Sequence, residues 1–272
     1  MIAKNPYVPS PAPLAEVIAE TPTIKTLVVR PGEPMPFRAG QFVQLTLPGV
    51  GEAPFTPSSS PLEPESLAIT ILRTGTVTDR LHACEPGQTL ALRGPFGKGY
   101  PLEKTEGKDV LVVGGGVGLA PLRALILALL SRIDTVKRLS IRYGARCVEE
   151  LLYRSEWQRW AQPPNVDFTA TIDNPQAGWD GRVGVVTTQL KGLDGDKANC
   201  LAFVCGPSIM LKFTTFALID EGLAPEQIYL SMNRRMSCGM GKCGRCNIGP
   251  YYLCKDGPDM KYSLIKDYPN VF

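Results

Sequence analysis

The residues best suited to chemistry lie near the C-terminus, in Cys238-Gly-Met-Gly-Lys-Cys243-Gly-Arg-Cys246, with Cys254 after seven intervening residues. Thiols separated by four and then two residues, with glycines between them, form a tight loop whose backbone can fold around a small inorganic cluster. This is the spacing of a [2Fe-2S] site with Cys238, Cys243, Cys246 and Cys254 as ligands. Zinc is the competing occupant, since four thiolates also surround a tetrahedral ion. A zinc ribbon normally offers two separated Cys-x-x-Cys pairs, however, and this loop has one, Cys243 and Cys246. The spacing favours iron-sulfur and leaves zinc as the alternative.

Three further stretches carry chemical potential. In Ala53-Pro54-Phe55-Thr56-Pro57-Ser58-Ser59-Ser60, an aromatic ring stands beside hydroxyls. Phe55 could cover a flavin ring while Thr56, Ser58 and Ser59 supply donors; the plainer alternative is a Ser/Pro loop. In Arg73-Thr74-Gly75-Thr76-Val77-Thr78, glycine and threonines precede a short helix. Free N–H groups there suit a diphosphate, although the same residues can simply cap the helix. The third is Gly114-Gly115-Gly116-Val117-Gly118, between the apolar run Val110–Val113 and a helix from Leu119 to Leu130. It reads as a phosphate-cradling strand-loop-helix, but its third glycine comes one residue too early for the dinucleotide fingerprint. The next strand, about 138–143, also lacks the acidic end that fingerprint expects.

The elements that position these residues fall into two patterns. From Thr23 to about Gly99, short alternating apolar runs at 24–29, 42–47, 67–72 and 89–92 are punctuated by Pro-Gly turns, which predicts a small antiparallel β-barrel. From Asp109 the period changes. Strands near 110–113, 138–143, 166–171, 200–205 and 228–230 alternate with helices near 119–130, 149–160, 185–190 and 208–221. That alternation predicts a parallel sheet with ligands at the carboxyl ends of its strands, among them 143–146, 171–174 and Cys205-Gly206-Pro207. The expected organisation is an arm over 1–20, a barrel over 21–103, an α/β domain over 104–231 and an iron-sulfur lobe over 232–272. The arm is inferred from Pro6, Pro9, Pro11 and Pro13.

Composition narrows the function. The net charge is +3 with scattered basic residues, which argues against a nucleic-acid partner. Neither a secretory leader nor a membrane span is expected, and eight cysteines without such a leader read as reduced and cytoplasmic. The one histidine, His82, leaves no set of histidines to hold a metal; it is assigned a plain surface or helix role. Cys84, Cys147 and Cys200 are assigned structural roles.

Taken in this order, the pieces resemble the ferredoxin reductase family of flavoproteins from about Thr21 to Leu230. The most specific matches are Gly114-Gly115-Gly116-x-Gly118-x-Ala120-Pro121, Tyr143-Gly144-Ala145-Arg146 and Cys205-Gly206-Pro207. With the cysteine lobe added, the chain is similar to the gamma, electron-transfer subunits of NAD(P)-linked hydrogenases or sulfhydrogenases. It is also similar to dihydroorotate dehydrogenase electron-transfer subunits and to one of the subunits of anaerobic sulfite reductases. The run from Arg234-Arg235-Met236 through Cys246 favours the hydrogenase-like branch.

The resemblance implies that Phe55 covers the ring of FAD and that the Thr56 hydroxyl lies near its N5. The family's arginine in that motif is replaced here by Ala53, which shifts diphosphate binding onto Arg73 and Gly75–Thr78 and leaves FMN as an alternative. It further implies that Gly94, Phe96 and Gly97 line the flavin, that Gly114 to Pro121 hold NAD(P), and that Cys205-Gly206-Pro207 sits beside the nicotinamide. Arg146 would welcome a 2′-phosphate and Asp173 would repel one, so NADH and NADPH both stay open. The implied activity is hydride transfer to flavin followed by single-electron transfer through the cluster to a partner catalytic subunit, with catalytic and iron-sulfur subunits as partners in a hetero-oligomeric redox complex. The alternatives are a stand-alone NAD(P)H:acceptor reductase and a zinc-stapled binding subunit without catalysis.

Overall fold

Short apolar alternations fold as strands because one face of each can be buried while Pro-Gly pairs supply the reversals. The structure, a computed structural model describing residues 5–272, joins six of them in an antiparallel, barrel-like sheet. These are β1 (Ser10–Ala19), β2 (Ile24–Val29), β3 (Phe42–Leu47), β4 (Gly51–Phe55), β5 (Leu67–Leu72) and β6 (Thr89–Phe96), ordered β4-β3-β6-β1-β2-β5. Leu27, Val43, Leu45, Leu67, Ile69 and Ile71 fill the interior. Helix α1 (Thr76–His82) follows β5, and His82 on its last turn is buried rather than at the surface, its ring facing the Ile71 carbonyl at 2.8 Å.

The expected N-terminal arm is corrected. Residues 1–4 lie outside the described residues, and Ser10–Ala19 is strand β1, in the middle of the sheet. The prolines are accommodated because β1 divides its pairing: residues 10–13 pair with β6, and Leu14 to Ala19 with β2. The proline half therefore has a free side, where a missing N–H costs nothing.

The second unit is a parallel sheet of β7 (Asp109–Gly115), β8 (Arg138–Ala145), β9 (Val166–Ile172), β10 (Arg182–Val183), β11 (Cys200–Cys205) and β12 (Ile228–Ser231), ordered β10-β9-β8-β7-β11-β12. Helix α2 (Leu119–Leu130) follows β7, α3 (Trp157–Trp160) follows β8, and α4 (Ser208–Asp220) follows β11. The helix expected over 149–160 shrinks to 3-10 turns and the four residues of α3, and that over 185–190 is a 3-10 turn at Val186–Leu190. In the first case the backbone is extended at Leu151 and Tyr153 takes a left-handed φ of 54°, which interrupts the helix and leaves Leu151, Leu152 and Tyr153 all buried. The Tyr153 hydroxyl reaches Thr70 of the barrel at 2.7 Å, and Arg123 of α2 lies over its ring while donating to the Ser58 carbonyl at 2.6 Å.

The C-terminal lobe contains β13 (Asn247–Ile248), β14 (Tyr251–Tyr252), α5 (Leu253–Asp256), β15 (Asp259–Lys261) and α6 (Tyr262–Ile265). β15 adds antiparallel to β12, so the lobe supplies the seventh strand of the larger sheet. Met260 on that strand is buried in a core shared by Leu230, Leu253 and Ile265. Among the described residues, no helix is long and apolar enough to cross a membrane. Because the lobe and the sheet share this core, Met260→Ala is expected to destabilise the protein by about 2–5 kcal/mol. In urea titrations, tyrosine and tryptophan fluorescence should report lobe and sheet unfolding at one shared, lowered midpoint.

Candidate active site and cluster loop

A cleft of about 1650 Å³ opens where the barrel, the parallel sheet and the lobe meet. The barrel contributes Phe55 and Thr56 at the end of β4, with Thr70, Thr74 and Thr78; the parallel sheet contributes Gly115, Gly116, Gly118, Pro121, Arg146 and Asp173. Cys205, Gly206 and Pro207 line it from the end of β11, and Met232, Met236 and Pro258 from the lobe side. Its position at the carboxyl ends of parallel strands is where open α/β sheets bind ligands.

The glycine loop is held close to β11. A methyl group on Gly118 would run into the Cys205 carbonyl, and one on Gly115 or Gly206 into the thioether of Met210. Tyr143 braces the loop from beneath, its hydroxyl 3.3 Å from the Gly116 carbonyl and accepting from Leu152 N–H at 3.2 Å. Burial pushes the Cys205 thiol up to about 12, with Asp259 adding to the rise and Ser231 opposing it. Cys205 is therefore a neutral contact and no thiolate nucleophile at physiological pH.

Other residues expected at the site stand elsewhere. Ser58 and Ser59 are buried where the barrel meets the parallel sheet: Ser58 Oγ meets Thr70 at 2.9 Å and Ser59 Oγ accepts from Ala68 N–H at 3.1 Å. Arg73 is outside the cleft lining and pairs with Asp79 at 2.9 Å. Gly75, Thr76 and Val77 are not in the lining either. The N–H groups of Thr74 and Gly75 already donate to the Thr78 hydroxyl at 2.8 and 2.9 Å, the capping arrangement that the sequence left open. Gly94, Phe96 and Gly97 are outside the cleft lining: Gly94 sits against the Phe42 carbonyl within the barrel, Phe96 lies against Gly239, and Gly97 against Gly257. Gly114 and Ala120 sit behind the lining residues, in β7 and α2.

The cysteine loop has the backbone of a cluster cradle, with its thiols in pairs: among the described residues, no three side chains converge on a single metal-ion position. Gly239, Gly241 and Gly244 have φ of 81°, 70° and 73°, which turns the backbone inward. N–H groups from Met240 and Lys242 point at Cys238 Sγ at 3.4 and 3.3 Å, and that of Gly241 at Cys254 Sγ at 3.0 Å. The sulfurs form two pairs: Cys246 and Cys254 are 3.4 Å apart, and Cys243 faces Cys238. Two thiol pairs beneath converging N–H donors fit a two-iron cluster. Burial opposes ionisation of Cys238, but the N–H groups of Met240, Cys243 and Lys242 outweigh it and bring that thiol down to about 6. Burial holds Cys254 up at about 12 beside Cys246. Cys243 is exposed, whereas Cys246 and Cys254 are buried.

Three domain families match along the chain: an oxidoreductase FAD-binding domain over residues 15–100, an oxidoreductase NAD-binding domain over 112–215, and the iron-sulfur cluster binding domain of dihydroorotate dehydrogenase B over 233–266. The sulfhydrogenase 1 subunit gamma of Pyrococcus furiosus is 34% identical over 279 residues, covering 98% of this chain and 95% of the relative. The chain belongs to the family of ferredoxin reductase-type electron-transfer subunits. The probable dihydroorotate dehydrogenase B electron transfer subunit of Methanocaldococcus jannaschii, a further member, is 33% identical, with 90% of this chain and 86% of the relative covered. In fold, the chain superposes on an NADH-dependent reduced ferredoxin-NADP oxidoreductase with a TM-score of 0.75 at 24% identity, covering 94% of this chain and 91% of the other. A cytochrome P450 reductase from Amycolatopsis gives 0.74 at 23% identity, covering 82% and 69%. Membership makes FAD, NAD and an iron-sulfur cluster the cofactors of this family member.

Several residues around the site carried no sequence signal, and Asp259 stands out among them. It pairs with Ser231 across β15 and β12 and is fully buried beside Tyr100. Ser231 and Tyr100 face the carboxyl, yet neither completes a hydrogen bond of normal geometry with it. Burial raises this carboxyl from 3.8 to about 7, against the smaller opposing influence of Ser231 and Tyr100. Between those values the folded chain holds a proton that the unfolded chain has released, so stability falls as pH rises through that window and levels off above it. Asp259→Asn is expected to flatten that slope and to be the more stable form at about pH 8, by on the order of a few kcal/mol. Urea unfolding of both proteins at about pH 5 and about pH 8 checks this.

Proposed function

We propose that the chain takes a hydride from NAD(P)H and delivers electrons singly to a partner catalytic subunit, as the diaphorase subunit of a hydrogenase- or sulfhydrogenase-like complex. When bound, FAD supplies the conversion between two-electron and one-electron chemistry, and a [2Fe-2S] cluster supplies one-electron carriage. The observation that carries the reading is the shared cleft. Phe55 and Thr56, the glycine loop, Cys205 and Met236 line one cavity, and Cys238 follows Met236 by two residues.

In this reading Phe55 presents its ring to the isoalloxazine, and Thr56 offers its hydroxyl to the ring edge. The threonines at 70, 74 and 78 provide polar partners along the same wall. Gly116 and Gly118 let backbone approach the dinucleotide phosphates, and the following α2 directs the positive end of its dipole toward that charge. Arg146 and Asp173, both exposed at the cleft, meet the adenosine ribose. Cys205, neutral by burial, orients the nicotinamide by contact and by keeping water from its face. Phe42, Met232 and Met236 make the inner wall apolar. Cys238, Cys243, Cys246 and Cys254 hold the cluster, with Cys243 on the solvent side, where a partner can approach. Hydride transfer asks for orientation more than for proton abstraction, so a histidine base is not required.

The name of the Pyrococcus relatives, sulfhydrogenase gamma subunits, supports a hydrogenase-like partner. Cys243→Ser is the variant that separates the two halves of the activity. Flavin bleaching by NADH should stay within about threefold of the parent, while delivery to the partner falls about 100-fold. Anaerobic stopped-flow absorbance measures both. Undiminished delivery would contradict the proposed route.

A further inference from the structure

Arg93 is a buried cation that no part of the hydride site uses. It lies on β6 directly across from Gln44 on β3, and β4 next to β3 carries Glu52. Gln44 and Arg93 reach the cysteine loop, and Glu52 pairs with Arg93. Gln44 Nε2 donates to the Met236 carbonyl at 2.5 Å, Arg93 Nη2 to that of Ser237 at 2.7 Å, and Arg93 Nη1 to that of Cys238 at 2.7 Å. Arg93 Nε donates to Glu52 Oε2 at 2.9 Å, and Nη2 also meets Glu52 Oε1. The guanidinium lies 5.5 Å from the centre of the Phe96 ring, and that ring rests on Gly239. Three consecutive carbonyls ahead of and within the cluster loop are thus held by barrel side chains.

Docking alone does not explain a charge here. A buried ion pair contributes little net stability relative to apolar packing, because desolvation opposes the Coulomb attraction. What distinguishes Arg93 from an apolar spacer is a fixed positive charge one peptide group from the Cys238 ligand.

We infer that Arg93 and Glu52 form a charge pair that sets the reduction potential of the cluster held at Cys238. This rests on the reading of Cys238 as a cluster ligand. Reduction adds one electron and one negative charge to the cluster, with no bond made or broken. A guanidinium beside the ligand favours the reduced form, and the Glu52 carboxylate opposes it. Arg93 is a positioning residue that acts through the loop carbonyls and through its field. Its side chain is 6% exposed and that of Glu52 33%, so solvent screens the carboxylate more and its removal has the smaller effect.

The test is an anaerobic redox titration of the full chain carrying its cluster, followed by electron paramagnetic resonance, on the parent and three variants. Arg93→Gln is expected to lower the equilibrium constant for reduction about tenfold, a shift of ~59 mV for a one-electron couple. Glu52→Gln is expected to raise it severalfold, and Arg93→Lys, which keeps the charge, to stay within about twofold of the parent. Opposite signs for the two neutral variants are the signature, because loss of a mere clamp would loosen the loop in both. If Arg93→Gln loses its cluster, Glu52→Gln and Arg93→Lys decide the matter. An unchanged or lowered constant in Glu52→Gln, or a tenfold fall in Arg93→Lys, would overturn the inference. A parent chain without iron would overturn the reading of Cys238, and the inference with it.

Discussion

The antiparallel pairing of β15 with β12 is the constraint on which the rest of the site depends. Through it the C-terminal lobe becomes the last strand of the nucleotide-binding sheet. The pairing sets Pro258 into the wall of the cleft and Asp259 behind Cys205. It also brings Gly257 against Gly97 of the barrel, where Lys98 N–H donates to the Gly257 carbonyl at 2.8 Å. The cysteine loop, anchored at both ends by that pairing, then has no direction to face but the barrel, where Gln44, Arg93 and Phe96 receive it. Three separately matched domains thereby share one set of walls, a fixed geometry suited to short-range transfer of a hydride and of electrons.

The seams of the barrel are polar where an ordinary core would be apolar. Between the barrel and the parallel sheet, the Thr26, Thr70 and Tyr153 hydroxyls form a buried chain, flanked by Arg123 and its partner Glu156. Between the barrel and the lobe lie Arg93 and Glu52, whereas the lobe and the sheet share an apolar core and the β15–β12 ladder. Hydrogen bonds and ion pairs are directional, so each seam accepts one relative orientation of its two sides; apolar surfaces alone would tolerate sliding. The cost of desolvating these groups buys fixed spacing across the cleft. Phe42, Met232 and Met236, all buried, give the cleft an apolar wall while the seams hold its shape.

Features written into local sequence were legible. The Cys238-x4-Cys243-x2-Cys246 spacing, the Gly114–Gly118 loop, the Cys205-Gly206-Pro207 turn and the strand periods each reflect the geometry of a few consecutive residues. What escaped depends on partners far along the chain. Pro11 and Pro13 read as an arm, because a proline in a strand is tolerated only where its neighbour is absent, and that is decided by the split pairing of β1. Leu151 to Tyr153 read as helix, because nothing local reveals that Tyr153 turns to a left-handed φ and docks its hydroxyl on Thr70 of the barrel. Ser58 and Ser59 promised hydroxyls to a ligand and gave them to Thr70 and to the backbone of β5. Arg93 did leave a trace, as a charge inside the otherwise apolar β6, but its meaning came from a loop some 145 residues away. Asp259 left none.

The proposed function requires one chain to hold flavin and a two-iron cluster in electronic contact with a nicotinamide site. The most direct test is an anaerobic visible spectrum of the purified protein, with iron, zinc and flavin analysis, taken during titration with NADH and then NADPH. The account predicts flavin bands over a broad iron-sulfur shoulder and about two irons per chain, with both features bleached by a nicotinamide dinucleotide. A colourless protein containing zinc and no flavin, or a coloured one that neither nucleotide bleaches, would contradict it.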